Sequence, residues 1–231
     1  MRIRAVTLDF GGTIVGGSVN KGLFIPRLRE LLTEYGVEAS GGKVRKAISE
    51  AFTYLNEVRE RLREMRFEDF YSIVLRKLGA PATEDVLERV FDVYSRSFEW
   101  RLIPGAVEAV LKLHSRYRLA VVSNTMSRMP VVILEETGLS GLFDAIILSR
   151  DVGWRKPHPN IFNKALEALG VPGNQAAHVG DSPESDVAGA KSVGMAAVLV
   201  GKPTEPVDPP PDVHVESISE VPRVLEELQN P

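Results

Sequence analysis

The chain has 231 residues, with 28 Lys and Arg against 31 Asp and Glu, a net charge of −3, and no cysteine. This balance offers no basic excess for a nucleic acid and no cationic face for a membrane, and the missing thiols remove disulfides, thiolate catalysis and Cys-based zinc sites. The length suits one large domain or a core with a smaller insert, the four histidines lack the spacing of a metal site, and a cytoplasmic protein is the default expectation.

Residues 3–8 are a short apolar, β-branched run that reads as a strand buried on both faces. It ends on Asp9, followed at once by Phe10, Gly11, Gly12 and Thr13. An acid there stands at the carboxyl edge of a sheet, where open α/β folds bind ligands. Glycines let backbone N–H groups approach an anion, and Thr13 adds a hydroxyl. Gly16, Gly17 and Ser18 read as a loop, after which the apolar period becomes helical.

Four helices are expected next. The first runs from Pro26 through Leu28, Leu31, Leu32 and Tyr35 to a stop at Gly36. The second carries Val44, Ile48, Ala51, Phe52, Leu55 and Leu62, and the third Phe67, Phe70, Tyr71, Val74 and Leu78 before Gly79. The fourth follows Thr83 and extends through Phe98. Residues 18–100 are thus an all-helical module inserted into a second region, residues 1–17 and 101–231. From Pro104 helices and strands alternate, with strands expected at 119–122, 145–148, 176–179, 196–200 and 213–215. Joined to the first strand they predict an α/β fold with a doubly wound, mostly parallel sheet. The proline-rich residues 203–211 read as a surface connection. No apolar run reaches the roughly 20 residues of a spanning helix.

Three later strands also end in polar groups. Ser123, Asn124 and Thr125 follow one, a loop with Trp154, Arg155, Lys156 and Pro157 another, and Gly180, Asp181 and Ser182 through Asp186 a third. Singly, each has a dull explanation as a cap, turn or surface charge. A carboxylate, a hydroxyl, an ammonium and a carboxylate pair at the ends of four strands of one sheet is hard to explain as separate capping events. With these four motifs the chain resembles the haloacid dehalogenase (HAD) superfamily over nearly its whole length, residues 18–100 corresponding to the helical cap of many members.

That resemblance implies a Rossmann-like core and a Mg²⁺-dependent phosphatase acting on a small phosphorylated metabolite. Asp9 would attack phosphorus and form an aspartyl-phosphate, with Lys156 as the second catalytic group. Asp9, the backbone carbonyl of Gly11, Asp181 and Asp186 would serve the metal, while Gly12, Thr13, Ser123, Asn124 and Lys156 would bind phosphate. One position departs from the pattern. Family phosphatases usually carry a second Asp two residues after the nucleophile as acid/base, and here Gly11 stands in its place. Another proton donor is then needed, His158 being the one imidazole beside a motif loop. The alternatives are a phosphonate- or halide-cleaving member, or a non-catalytic phosphate-binding protein. The helical module is expected to gate the core, with Phe10 and Trp154 near its mouth. The expected partner is the small substrate, with no nucleic acid or membrane, in a monomer or homodimer.

Overall fold

The computed structural model describes residues 2–202 and 208–229; of the expected 203–211 connection, 203–207 lie outside that range. The chain forms two compact units, Met1–Gly16 with Arg101–Pro231, and Gly17–Trp100.

The first unit is built on a six-stranded sheet. Its strands are β1 (Ala5–Leu8), β4 (Arg118–Ser123), β5 (Ala145–Leu148), β6 (Ala176–Gly180), β7 (Ala196–Val200) and β8 (Val213–Val215). They lie in the order β5-β4-β1-β6-β7-β8, and every neighbouring pair is parallel. The strands are parallel because the chain returns through helices: α5 (Ala106–His114), α6 (Met129–Glu136), the short α7 (Ser149–Val152), α8 (Pro159–Leu169), α9 (Ala188–Ser192) and α10 (Val221–Gln229). Small residues of the strands, Ala5, Ala120, Ala176 and Ala197, share one buried cluster with Ile161, Phe162, Ala165 and Leu169 of α8. Alanine on the strands lets the helix lie close, and the larger helix residues fill the space. The direction of winding reverses at β1, with β4 on one side and β6 on the other. A crevice for a ligand opens at the carboxyl ends of the strands at such a reversal.

The second unit holds α1 (Lys21–Glu34), α2 (Gly41–Glu60), α3 (Phe67–Leu78) and α4 (Glu84–Ser95). Phe24, Phe67, Phe70, Tyr71 and Phe91 are buried in it, and ring pairs such as Phe67–Phe91 meet edge to face at 5.3 Å. Each such pair adds about 0.5–1.5 kcal/mol beyond the area it buries.

Three expectations need correcting. The expected loop at Gly16–Ser18 is inside β2 (Val15–Val19), and the fourth helix stops at Ser95, before β3 (Phe98–Leu102). β2 and β3 make a two-stranded sheet. Its pairing joins segments about 80 residues apart, and glycines carry no strand signal of their own. Helix α1 also begins earlier than Pro26: the Asn20 side chain caps it, and Pro26 lies inside.

Candidate active site

Asp9 is the first residue past β1, and its N–H donates to the Val179 carbonyl at 2.8 Å, which ties the turn to β6. The chain then folds tightly, with the N–H groups of Ile14 and Val15 both donating to the Phe10 carbonyl at 2.9 Å. Gly12 is required inside this turn: its φ is +86°, and a Cβ there would lie 2.0 Å from Asp181 Oδ2. Phe10, beside Asp9 in this turn, is 6% exposed.

Lys156 Nζ lies 2.5 Å from Asp9 Oδ1 and 2.6 Å from Asp186 Oδ1. All three residues are buried. Asp186 is aimed by a single π-helical turn, Pro183–Val187, that follows β6. Its Oδ2 accepts from the Ser182 N–H at 2.9 Å, and its Oδ1 also meets His178 Nε2 at 3.0 Å. Gly180 makes room for this, because a Cβ at 180 would fall 2.2 Å from Asp186 Cγ. Asp181 is exposed. Among the described residues, Asp9, Asp181 and Asp186 each offer an oxygen within 4.8 Å of the others.

The charges at this edge are unevenly compensated. Burial pushes the Asp9 carboxyl up to about 7; Asp186 and Asp181 add to the rise by repulsion, and Lys156 opposes it. Burial would also raise Asp186, but Lys156 and His178 outweigh it and hold that acid well below its usual range. Burial works against the Lys156 ammonium, yet Asp186 and Asp9 raise its pKa on balance. Asp181 is raised by burial and by Asp186. One ammonium thus serves Asp9 and Asp186. A hard divalent cation fits the set of oxygen donors that remains. Thr13 Oγ1 is buried without a hydrogen-bond partner, so an acceptor brought to this turn would find a donor waiting.

Ser123 ends β4 and is buried. Asn124 is differently engaged from the expected phosphate contact. Its Nδ2 donates to the Lys156 carbonyl at 3.0 Å and its Oδ1 accepts from the Lys156 N–H at 2.7 Å, so both ends of the amide fasten the Lys156 backbone. His158 is a helix cap, with Nδ1 accepting from the Asn160 N–H at 3.2 Å, and its ring stacks on Trp154 at 3.7 Å. The imidazole in direct contact with the charged cluster is instead His178. Sequence reasoning passed over it, although a histidine in the middle of an otherwise apolar strand was a visible signal.

A model of the haloacid dehalogenase-like hydrolase family matches residues 3–194. The chain belongs to that family. The bovine (Bos taurus) haloacid dehalogenase-like hydrolase domain-containing protein 3 is 39% identical over 131 residues, 56% of this chain and 51% of that protein. The chain thus spans about half the length of that relative. A glyceraldehyde 3-phosphate phosphatase of Pyrococcus abyssi is 29% identical over 85% of this chain and 80% of its own. Among solved structures, a 2-haloacid dehalogenase from Pseudomonas syringae superposes with a TM-score of 0.78 at 25% identity, covering 98% of this chain and 99% of the other.

Proposed function

We propose that the chain is a Mg²⁺-dependent phosphatase that acts on a small phosphorylated metabolite through an aspartyl-phosphate at Asp9. The observation that carries this reading is the buried Asp9 at the carboxyl edge, 2.5 Å from Lys156 and close to two further carboxylates. Asp9, Asp181 and the Gly11 carbonyl would hold the metal, with Asp186 supporting the cluster. Bound there, Mg²⁺ would offset the negative charge of the phosphoryl oxygens.

Asp9 supplies the electron pair that forms the new O–P bond as the ester O–P bond breaks. Lys156 reduces repulsion between Asp9 and the anionic substrate, and Ser123 and the Gly12–Thr13 turn bind the phosphoryl oxygens. Water then cleaves the acyl phosphate and returns Asp9. With glycine at 11 the leaving oxygen takes its proton from solvent or from the substrate itself, which favours leaving groups that are stable anions. The helical unit is proposed as the element that selects substrate. Beyond the absence, among the described residues, of any helix long and apolar enough to cross a membrane, a cytoplasmic location belongs to this same proposal.

A second reading is supported by the likeness to a 2-haloacid dehalogenase together with Gly11. In it the Asp9 carboxylate displaces halide from carbon, and no metal is required. One experiment separates the two. The purified chain is given an aryl phosphate and, separately, 2-chloropropionate, each with Mg²⁺ and with a chelator. Phosphate release that stops on chelation supports the phosphatase. Chloride release that survives chelation replaces it with the dehalogenase, and binding of a phosphate analogue without turnover leaves a ligand-binding protein.

A further inference from the structure

Thr7 and His178 face each other in the paired register of β1 and β6, and both are buried, at 0% and 1% exposure. Polar groups in the middle of two apolar strands cost free energy unless they are partnered. Both are partnered: the Ala177 carbonyl stands at the 3.5 Å limit from Thr7 Oγ1, and the short contacts all run toward Asp186. Thr7 Oγ1 is 2.7 Å from His178 Nδ1, and His178 Nε2 is 3.0 Å from Asp186 Oδ1. An ionised Asp186 can only accept, so the ring proton facing it sits on Nε2 and Thr7 donates to Nδ1. Phe162 meets the ring edge-on, with 5.0 Å between centroids and 90° between planes, which resists its rotation. Asp186 Oδ1 in turn holds Lys156 Nζ, and Nζ meets Asp9. The result is an unbroken line of five side chains from the middle of the sheet to its reactive edge.

We infer that His178, set by Thr7, is a positioning residue: its Nε2–H fixes the Asp186 carboxylate so that the Lys156 ammonium stays against Asp9. The lysine needs such a holder, because its head rides on a flexible four-carbon stem. Asn124 fastens only the backbone of that residue, whereas Asp186 fastens the charge. Without the Nε2–H, Asp186 keeps the Ser182 N–H on Oδ2 but only the mobile ammonium itself on Oδ1, so that oxygen and the ammonium can shift together. The inference rests on the proposed roles of Asp9 and Lys156. A histidine that merely satisfied the core would matter for stability and leave the reaction unchanged.

The test compares His178→Leu, which keeps bulk without a donor, with His178→Gln, which restores an N–H near the Nε2 position. Kinetics on para-nitrophenyl phosphate with Mg²⁺ and crystal structures of both variants are the readouts. In His178→Leu the kcat should fall about 10- to 100-fold, as for other residues that orient reactive groups, while KM changes less than about threefold. His178→Gln should recover most of the loss, and Lys156 Nζ should have left hydrogen-bond distance of Asp9 only in the Leu variant. Parental kcat in His178→Leu, an equal loss in Leu and Gln, or an undisplaced Lys156 overturns the inference. Should His178→Leu not fold, Thr7→Val serves in its place: a smaller drop in kcat supports the inference and parental kcat overturns it. If the parent hydrolyses no phosphate, the proposed function fails, and the crystal structures alone decide the positioning role by the place of Lys156.

Discussion

Both units bury apolar side chains, and the sheet unit buries a line of charged and polar ones as well. In the helical unit the interior is aromatic and aliphatic, with Phe24, Phe67, Phe70, Tyr71, Val74, Val90 and Phe91 covered. Its ion pairs, such as Lys77–Glu50 and Arg89–Glu34, are at the surface, although the Glu64 side chain is covered and paired with Arg59. In the sheet unit, Thr7, Asp9, Lys156, His178 and Asp186 are all buried and joined to one another. Apolar burial stabilises wherever it is packed. A buried charge line is tolerated only where each member has its partner, and its net contribution to stability is small. The helical unit thus gives its interior mostly to apolar packing, and the sheet unit gives part of its interior to a line of side chains that ends on one acid.

Variants that touch one interior and not the other should divide accordingly. The largest effect is expected from Asp9→Asn, which should lower phosphate release by about 10⁴ or more, since a neutral amide is a poor nucleophile. Urea denaturation of the same variant should show a folded protein, and turnover close to the parent's would remove Asp9 from the role. Next comes Gly11→Asp. A Cβ at 11 meets nothing within 4 Å, and Gly11 is not among the glycines with positive φ, so the carboxylate should be accommodated without strain. Supplying the missing acid/base should raise the rate on alkyl phosphates by about 10²–10⁴, and aryl phosphates should gain far less. A fall on every substrate would show that this space serves another group.

Phe67→Ala sharpens the comparison from the other side. Phe67 is fully buried against Tyr71, Phe91 and Tyr94, and its loss should cost about 3–5 kcal/mol, read from urea curves followed by far-UV circular dichroism. A cost below about 1 kcal/mol would show that the site collapses around the cavity. The smallest effect is on acid stability. Burial lowers the pKa of folded His178 below its ordinary 6.5, against the pull of Asp186. The unfolded chain therefore takes up a proton that the folded chain refuses, and stability is lost as pH falls below 6.5 toward the folded value. His178→Gln lacks this liability, so the stability gap between parent and variant should narrow from pH 7 to pH 5 in metal-free buffer. A gap that widens would place the folded pKa above 6.5.

What the sequence disclosed follows the range of the forces involved. The strands at 145–148, 196–200 and 213–215 have the bounds expected of them, because each is a short run led by apolar residues between segments of other character. Helix α3 was equally plain, with a regular apolar face and Gly79 in the left-handed conformation at its end. The polar strand ends were visible as positions, and the structure places Asp9, Lys156, Asp181 and Asp186 together. Their partners were not visible. The bond from Thr7 to His178 spans 171 residues of chain, and the grip of Asn124 on the Lys156 backbone spans 32. Such pairings depend on sheet order and register, which no local pattern carries. The β2–β3 pair was missed for the same reason.

That pair also governs how the chain can be remodelled. Gly17 approaches the opposite strand so closely that a Cβ would fall 2.2 Å from the Glu99 carbonyl oxygen. The inserted segment therefore departs and returns at a single place. Such a segment can be trimmed, enlarged or exchanged without re-registering the host strands, and the entropy of closing a longer one grows only with the logarithm of its length. A foreign helical segment spliced between residues 17 and 100 would keep the host's chemistry and give it a new address.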